Sequence, residues 1–380
     1  MPARRRPIVR FQSAAGSAAA VEIARGSAGG ALTVLFATAD TDLGELAGAL
    51  AAAGAGRVVG ATTGRLITAH GIEARGVGGF HLPAGRFAAA SGVITEVATI
   101  SLPELRAHVH RLRADLETRA GTLEHRFALL LVDAEARCEE RLAAVLGTEL
   151  SGVPLVGGSA GDLYFNPLGH PPGNANLLGD GRSFRGAAAL CLVASASPLV
   201  AYSHNHYVPS ESKVVITDAD PARRLVREID GAPALGVYAA LCGLPKNARN
   251  PRDFAPYPLM LRIRGQYYAR GMQRIFPDGT LEFACALERG LVAAIARPGD
   301  MVGRLAGMFA EMHAAIGAPD LVIGVDCAAR TAYMEQRGLT TEVTRLYTAN
   351  AVTGFASLGE QFNSIHANNS FTCLGIGSGA

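Results

Sequence analysis

The chain has 380 residues, of which 49% are hydrophobic, and its formal charge is +2. This length predicts two domains rather than one, with enough apolar residues for a sizeable core. A near-neutral chain without a basic stripe argues against nucleic acid as a main partner. The longest apolar run is interrupted at Pro198 and is too short for a bilayer of about 30 Å. No signal-peptide pattern follows the basic first residues, so we expect a cytoplasmic protein that does not enter the membrane.

Six cysteines are scattered along the chain, and none belongs to a Cys-x-x-Cys pair. This spacing argues against a zinc knuckle and against a framework of disulfides. Isolated cysteines in apolar runs usually behave as small buried hydrophobes, which suits a reducing cytoplasm.

In chain order, residues 1–30 are rich in alanine, glycine and serine, and we expect a flexible segment. A strand–helix–strand pattern then recurs three times, beginning at Ala31, Phe127 and Leu321. A unit of about 30 residues is typical of a βαβ motif with parallel strands, and a further apolar run follows each unit after a loop. The sequence therefore predicts an α/β fold of repeated strand–helix–strand–strand units, which form layered mixed sheets flanked by helices. The pattern does not distinguish a sandwich from an open sheet.

Two further segments are distinctive. Ser101 and Glu104 have the spacing of a capping box and precede an amphipathic helix. Its apolar stripe consists of Leu102, Leu105, Val109, Leu112 and Leu116. Residues 253–287 alternate apolar and polar side chains around a turn at Pro277, which predicts an inserted antiparallel meander. We place two domains at residues 31–215 and 216–380.

Small residues between glycines follow the second apolar run of each unit, at 60–64, 157–161 and 354–359. No Lys-Ser/Thr pair and no G-x-G-x-x-G pattern accompanies them, so a nucleotide cradle is not favoured. We interpret them as tight turns. Turns at corresponding strand ends can converge on a pocket, to which Gly157, Gly158 and Gly354 would contribute.

The sequence contains no H-E-x-x-H motif, and the glycine-flanked Ser159 in GGSAGD is weak evidence on its own for a nucleophile elbow. Cys327 and Ser159 are the only nucleophiles that its pattern suggests, and Asp133 and Asp326 are interpreted as caps of the following helices. We therefore do not expect an enzyme.

Two histidines, His204 and His206, lie two positions apart, so in extended chain they face the same side. A third, His366, follows the glycines of the last unit. The residues alone leave two alternatives open for each: a hydrogen-bonded structural histidine, or a ligand of a cofactor.

Five segments resemble the FIST family of bacterial sensory proteins: VVGATTGRL, VPLVGGSAGD, REIDGAPALGVYAALCG, LVIGVDCAAR and VTGFASLGEQFNSIHANNSFTCLGIG. The resemblance extends over nearly all of the chain from Ala31 onward. It implies an N-terminal and a C-terminal FIST domain and a module that binds a small ligand and signals to a partner.

Two stretches, HYVPSESKVVITDADPARRLVREIDG and GEQFNSIHANN, resemble the haem-binding, nitric-oxide-sensing branch of this family, known as NosP. That resemblance implies noncovalent b-type haem, with iron on His206 beside Tyr207, or on His204 or His366. The stretch HANNSFT departs from the branch, which more often has Gln-Thr before the phenylalanine. Tyr202, Phe165 and Phe355 would be further pocket walls.

The resemblance also implies a partner, either a sensor histidine kinase or a diguanylate cyclase or phosphodiesterase, and a homodimer is compatible with it. The alternative hypothesis is a FIST module that senses an amino acid or another metabolite without haem. In that case Asp162, Arg330 or Glu360 would pair with charged groups of the ligand.

Overall fold

The computed structural model describes residues 7–14, 16–161 and 176–378. Asp162 and Phe165, both predicted to line a pocket, lie outside the described residues. The predicted class is confirmed, because the described part is a mixed α/β structure in which several mixed sheets are flanked by helices.

Within the described residues, three six-stranded sheets share one strand order. The first, written from edge to edge, consists of β1 (Val9–Ser13), β6 (Val77–Pro83), β2 (Gly30–Thr38), β3 (Val58–Thr63), β10 (Leu177–Gly179) and β11 (Arg182–Phe184). The second consists of β7 (Phe87–Ile94), β12 (Ala188–Ser195), β8 (His125–Asp133), β9 (Leu155–Ala160), β24 (Glu360–Phe362) and β25 (Ile365–Ala367). The third consists of β13 (Leu199–His204), β26 (Phe371–Gly377), β22 (Pro319–Cys327), β23 (Val352–Ser357), β4 (Leu66–Thr68) and β5 (Gly71–Glu73).

Each of the three units contributes a parallel strand pair and a short hairpin, and each hairpin completes a sheet other than its own. Hairpin β4–β5 of the first unit pairs with β23, hairpin β10–β11 of the second unit with β3, and hairpin β24–β25 of the third with β9. This cyclic exchange gives the three units an approximate threefold symmetry. Their inner faces meet in one apolar core, where Phe36 stacks on Phe355 with ring centroids 4.5 Å apart.

Helices cover the outer faces of the sheets. They are α1 (Ala20–Ser27), α2 (Leu43–Ala52), α3 (Leu102–Ala120), α4 (Glu139–Glu149), α5 (Ala234–Cys242), α6 (Pro251–Phe254), α7 (Met301–Ile316), α8 (Ala328–Arg337) and α9 (Thr340–Ala349). The capping box of Ser101 and Glu104 at the start of α3 is confirmed. The predicted stripe of α3 is buried except for Leu102, which is 43% exposed. None of the helices in the described ranges has the length and hydropathy that crossing a bilayer requires.

The fourth sheet is entirely antiparallel and has eight strands. They are β18 (Gln266–Arg270), β17 (Leu259–Ile263), β21 (Val292–Pro298), β14 (Tyr207–Asp220), β15 (Leu225–Ile229), β20 (Leu281–Phe283), β19 (Met272–Ile275) and β16 (Ala232–Pro233). The predicted meander supplies four of them, β17 to β20, and the turn at Pro277 joins β19 to β20.

The beginning of the chain and the domain boundary differ from expectation. Of residues 1–30, predicted to be a flexible segment, those that the structure describes form β1, which pairs with β6, and α1, which packs its apolar face on the first sheet. The boundary predicted at 215/216 falls within strand β14, which runs without a break from Tyr207 to Asp220.

The predicted glycine turns are wrong for most of their residues, because 60–63, 157–160 and 354–357 lie inside strands β3, β9 and β23, and only Gly64, Gly161 and 358–359 follow the strand ends. Gly157 and Gly354 face the backbone of the neighbouring parallel strand so closely that a Cβ atom would collide with a carbonyl oxygen, of Leu130 and Gly324 respectively. The Cβ of any residue at Gly158 would meet the Phe355 ring at 2.7 Å. These glycines bring strands and core rings close together and do not open a turn.

Candidate functional site

His204 and His206 lie where the chain leaves the third sheet and enters the fourth. Strand β13 ends at His204 and β14 begins at Tyr207. Asn205 fixes the crossing, since its side-chain carbonyl accepts a hydrogen bond from the backbone N of Tyr207 at 3.0 Å. The backbone N of Gly299 donates to the carbonyl of His206 at 2.9 Å. The imidazole of His206 is therefore held at the junction of two sheets.

The His206 side chain is fully buried among aromatic rings. Its ring centroid is 4.1 Å from that of Tyr207 and 4.8 Å from that of Tyr333. Arg330 Nη1 lies 3.3 Å from His206 Nδ1. Because a guanidinium group can only donate, Nδ1 accepts, and the proton of the neutral ring is on Nε2. Within the residues that the structure describes, His206 Nε2 has no hydrogen-bond partner.

Arg330 is also fully buried, and it forms an ion pair with Asp326 at the junction of β22 and α8. Arg330 Nε donates to one carboxylate oxygen of Asp326 at 2.6 Å, and the Tyr347 hydroxyl donates to the other at 2.6 Å. Arg330 Nη2, however, is unpartnered in the described part of the chain. The prediction that Asp326 caps the following helix is wrong, because Cys327 occupies the cap position without a side-chain hydrogen bond. Asp133 does cap the turn after β8, as predicted.

Burial and neighbouring positive charge keep both imidazoles neutral. Burial, followed by the charge of Arg330, lowers the pKa of His206 to about 2 and that of His204 to about 3. His204 Nε2 is likewise buried without a partner among the described residues. We call His204, His206 and Arg330 the histidine–arginine cluster.

The histidine–arginine cluster can donate hydrogen bonds from His206 Nε2 and Arg330 Nη2, to which the described residues offer no acceptor. A buried donor left unpaired costs about 1–3 kcal/mol. A ligand oxygen would satisfy these donors, and a carboxylate would do so most strongly, because charge-assisted hydrogen bonds are the strongest.

His366 lies in another place, on edge strand β25, and belongs to a separate chain of hydrogen bonds. Its Nδ1 is 3.3 Å from Gln361 Nε2, which also lies 3.1 Å from Ser159 Oγ. Ser159 Oγ donates to the buried carboxylate of Glu139 at 3.1 Å. Arg224 pairs with the same carboxylate at 2.5 Å. Ser159, suggested as a nucleophile, is thus a link in a buried polar network.

Most of the predicted cofactor residues lie in one of these two places. His204, His206 and Tyr207 are together at the sheet crossing. Gly157 and Gly158 are register partners of Gln361 and Glu360, next to the hairpin that carries His366. Gly354 lies within β23 and pairs with Gly324.

Other predicted residues have different surroundings. The stacking of Phe355 on Phe36 places it in the central core, and Tyr202 is half-buried against a second apolar cluster. Burial raises the pKa of the Cys327 thiol well above its usual range. In the described ranges no group of three or more histidine, cysteine, aspartate or glutamate side chains is arranged to hold a metal ion.

Tyr333, Tyr347 and Gln361 were not identified from the sequence. The four-residue spacing of Asp326 and Arg330 at a helix start was a signal for their ion pair. Nothing local to Gln361 indicates its position, since its hairpin pairs with a strand about two hundred residues earlier.

Comparison with family models gives two matches. The FIST N domain matches residues 31–232 and the FIST C domain matches residues 234–363. No curated protein matches the chain. The two matches meet beside Pro233, at the end of β16, so the family division also lies beyond the predicted boundary.

Proposed function

The chain belongs to the FIST family, whose domains are sensory, and we propose that it detects a small ligand at the histidine–arginine cluster. One observation carries the proposal: His206 Nε2 and Arg330 Nη2 are buried donors without an acceptor in the described residues. The rest of this site is firmly held by Asp326, Tyr347 and Asn205. A site that is fixed on one side and unsatisfied on the other is suited to a ligand.

The ligand implied by the sequence resemblance is haem, with nitric oxide as the signal. One property of His206 suits an iron ligand, because the imidazole is buried and neutral. The position of its proton does not suit an iron ligand. Arg330 donates to Nδ1, so the proton of the ring is on Nε2, whereas an iron-bound nitrogen needs a free lone pair. Arg330 also withdraws electron density, whereas the partners of ligating histidines usually raise ligand basicity. As arranged, these residues do not fit an axial haem ligand.

A ligand with one carboxylate is the better match. Arg330 acts on His206 with positive charge, as does the solvent-exposed Arg304 more weakly, and Asp326 pairs with Arg330. A single carboxylate would accept from both unpaired donors and would be attracted by the positive charge of Arg304. We therefore propose a small monocarboxylate, amino acids included, as the ligand, with haem as the alternative that the resemblance supports.

The signal would leave through the crossing between the third and fourth sheets, because His206 lies in it. A histidine kinase, a diguanylate cyclase or a phosphodiesterase is the proposed receiver. To move a two-state partner equilibrium from 1:99 to 99:1, the ligand must favour one state by about 5.5 kcal/mol.

Thermal shift measurements on the full chain test this proposal, with carboxylates, amino acids and haem as probes. A carboxylate at one hundred times its Kd adds about 2.7 kcal/mol of stability and raises Tm. His206→Phe keeps an aromatic ring but removes the donor, so this response should disappear. His81→Phe is the matched control, because His81 is buried in the first sheet and has Thr33 as its partner at 2.8 Å.

The result separates the two ligand classes. The absence of any carboxylate response, together with a haem Soret band that His206→Phe abolishes, would replace the carboxylate with haem. A carboxylate response that survives His206→Phe would place the ligand elsewhere.

A further inference from the structure

A second group of unsatisfied polar atoms is buried near the hairpin of the third unit. Asn368 is 1% exposed, and neither atom of its amide has a partner in the ranges that the structure describes. The side-chain oxygen of Gln361 is fully buried and also has no hydrogen-bond partner in those ranges. Each such atom costs about 1–3 kcal/mol. Two side chains of the third unit with three such atoms need an explanation.

The hydrogen-bond network fixes which way the Gln361 amide points. The Ser159 hydroxyl donates its only proton to Glu139. Its oxygen therefore accepts a hydrogen bond from Gln361 Nε2. The same nitrogen donates towards His366 Nδ1, which places the histidine proton on Nε2, 3.4 Å from the carbonyl of Ala284. Gln361 Oε1 is therefore the acceptor that points away from the network.

The repeated architecture shows that the fold does not need polar residues here. By register, the pair Glu360–Gln361 of the third hairpin corresponds to Leu66–Ile67 of the first and Leu177–Leu178 of the second. All of these positions are buried. Two units fill this place with aliphatic side chains, so the third unit carries polar atoms at a cost in stability that packing does not require.

The unsatisfied atoms belong to neutral side chains, and the charged groups near His366 balance one another. Arg224 pairs with Glu139 and Glu140, the buried Arg270 donates to the carbonyl of His366, and Glu360 accepts from Ser357 and Ser370. A Cβ atom on Gly359 would lie 2.9 Å from His366 Nε2 and 3.2 Å from Asn368 Nδ2. Glycine at 359 thus lets the His366 ring and the Asn368 amide approach the same place.

We propose that Gln361, His366 and Asn368 form a second binding site, for a neutral group that presents a hydrogen-bond donor and acceptor side by side, such as a carboxamide. The Asn368 amide offers the complementary acceptor and donor, and Gln361 Oε1 offers a second acceptor. This site differs in chemistry from the histidine–arginine cluster, which offers donors to a carboxylate, so it does not depend on the proposed function.

Matched pairs of probes test the site: acetamide and acetate, and benzamide and benzoate. Binding is measured by calorimetry on the full chain, and Tm by thermal unfolding. We expect the amide of a pair to bind the wild-type chain and Asn368→Leu to weaken that binding at least tenfold. We also expect Asn368→Leu to raise the ligand-free Tm, because it removes an unsatisfied amide from the interior.

Two controls keep the outcomes separate. Thr353→Val removes a buried hydroxyl on β23 that is also unpartnered within the described chain, so it should not lower Tm and should leave amide binding unchanged. His206→Phe should keep amide binding while it loses the carboxylate response, so either site can fail alone. The proposal is overturned if no amide probe binds the wild-type chain, if amide binding survives Asn368→Leu, or if Asn368→Leu lowers Tm.

Discussion

The third repeating unit differs from the first two in what it buries, although all three share one backbone register. At the position next to the end of the first strand, the first two units have Ala37 and Val132, whereas the third has Asp326. The third unit alone carries a buried acid there, with Arg330 and Tyr347 around it.

The hairpins repeat this contrast, with Glu360–Gln361 in place of the aliphatic pairs Leu66–Ile67 and Leu177–Leu178. Units that adopt the same fold without these polar residues show that folding does not demand them. Buried polar groups retained at a cost are expected at functional sites. Both candidate sites therefore lie in or beside the third unit for the same physical reason.

Removal of one partner of the buried ion pair should have the largest effect. Arg330→Met leaves the Asp326 carboxylate buried without its cation, and we expect a loss of about 3–5 kcal/mol in the free energy of unfolding, measured by urea denaturation. The triple variant Asp326→Val, Arg330→Met, Tyr347→Phe gives the third unit the apolar character of the second and should recover most of that loss. A single variant as stable as the wild type would contradict the importance of the pair.

All three units have glycine at one equivalent position, occupied by Gly60, Gly157 and Gly354. We expect a substitution there to cause the second-largest loss of stability. Gly157→Ala places a Cβ against the carbonyl oxygen of Leu130, and overpacking of this kind costs about 1–3 kcal/mol. Gly48→Ala is the control, because Gly48 lies in the interior of α2 with no heavy atom within 4 Å of an added Cβ. That variant should gain up to about 1 kcal/mol. Equal stability of the two variants would show that β8 and β9 are not as close as described.

The pH dependence of stability should report on the polar hairpin. Burial raises the pKa of Glu360 from its ordinary value of 4.5 to about 8, against hydrogen bonds from Ser357 and Ser370 that lower it. Between these two values the folded chain holds a proton that the unfolded chain has lost. Stability should therefore fall as pH rises through this window, by at most about 1.4 kcal/mol per pH unit, and should be fully present below pH 4.5.

Glu360→Gln removes this titration and should flatten the part of the curve between pH 5 and 8. Urea denaturation at each pH unit gives the measurement. The corresponding aliphatic position, Leu177, provides a control, since Leu177→Ala should lower the curve without changing its slope. An unchanged slope in Glu360→Gln would assign the dependence to another group.

The sequence predicted the parallel pairs well because long apolar runs at a spacing of about 30 residues leave few alternatives. It also predicted the start of α3, where a capping box is a local signal. It misassigned the glycine segments, because glycine permits both a sharp turn and a close strand contact, and only the facing strand distinguishes them.

The candidate site was harder to predict, because its contacts are distant in sequence. His206 was identified from resemblance, but its contact with Arg330 joins positions 124 residues apart. Asp133 and Asp326 look alike along the chain, yet one caps a turn and the other holds an arginine and a tyrosine. The three-residue hairpin strands are too short to show a period, so the partner of Gln361 could not be inferred.

The cyclic exchange of hairpins has a consequence for the order in which the chain is made. The first sheet has all its strands once residue 184 is synthesised, because hairpin β10–β11 closes it. The second edge of strand β9 must wait for β24, and hairpin β4–β5 must wait for β23, so both edges lack a partner strand until residues 352–362 have left the ribosome. Such an exposed strand edge invites aggregation. The two FIST matches are therefore halves of one cooperative assembly, and the nascent N-terminal half depends on β23 and β24 for its remaining partner strands.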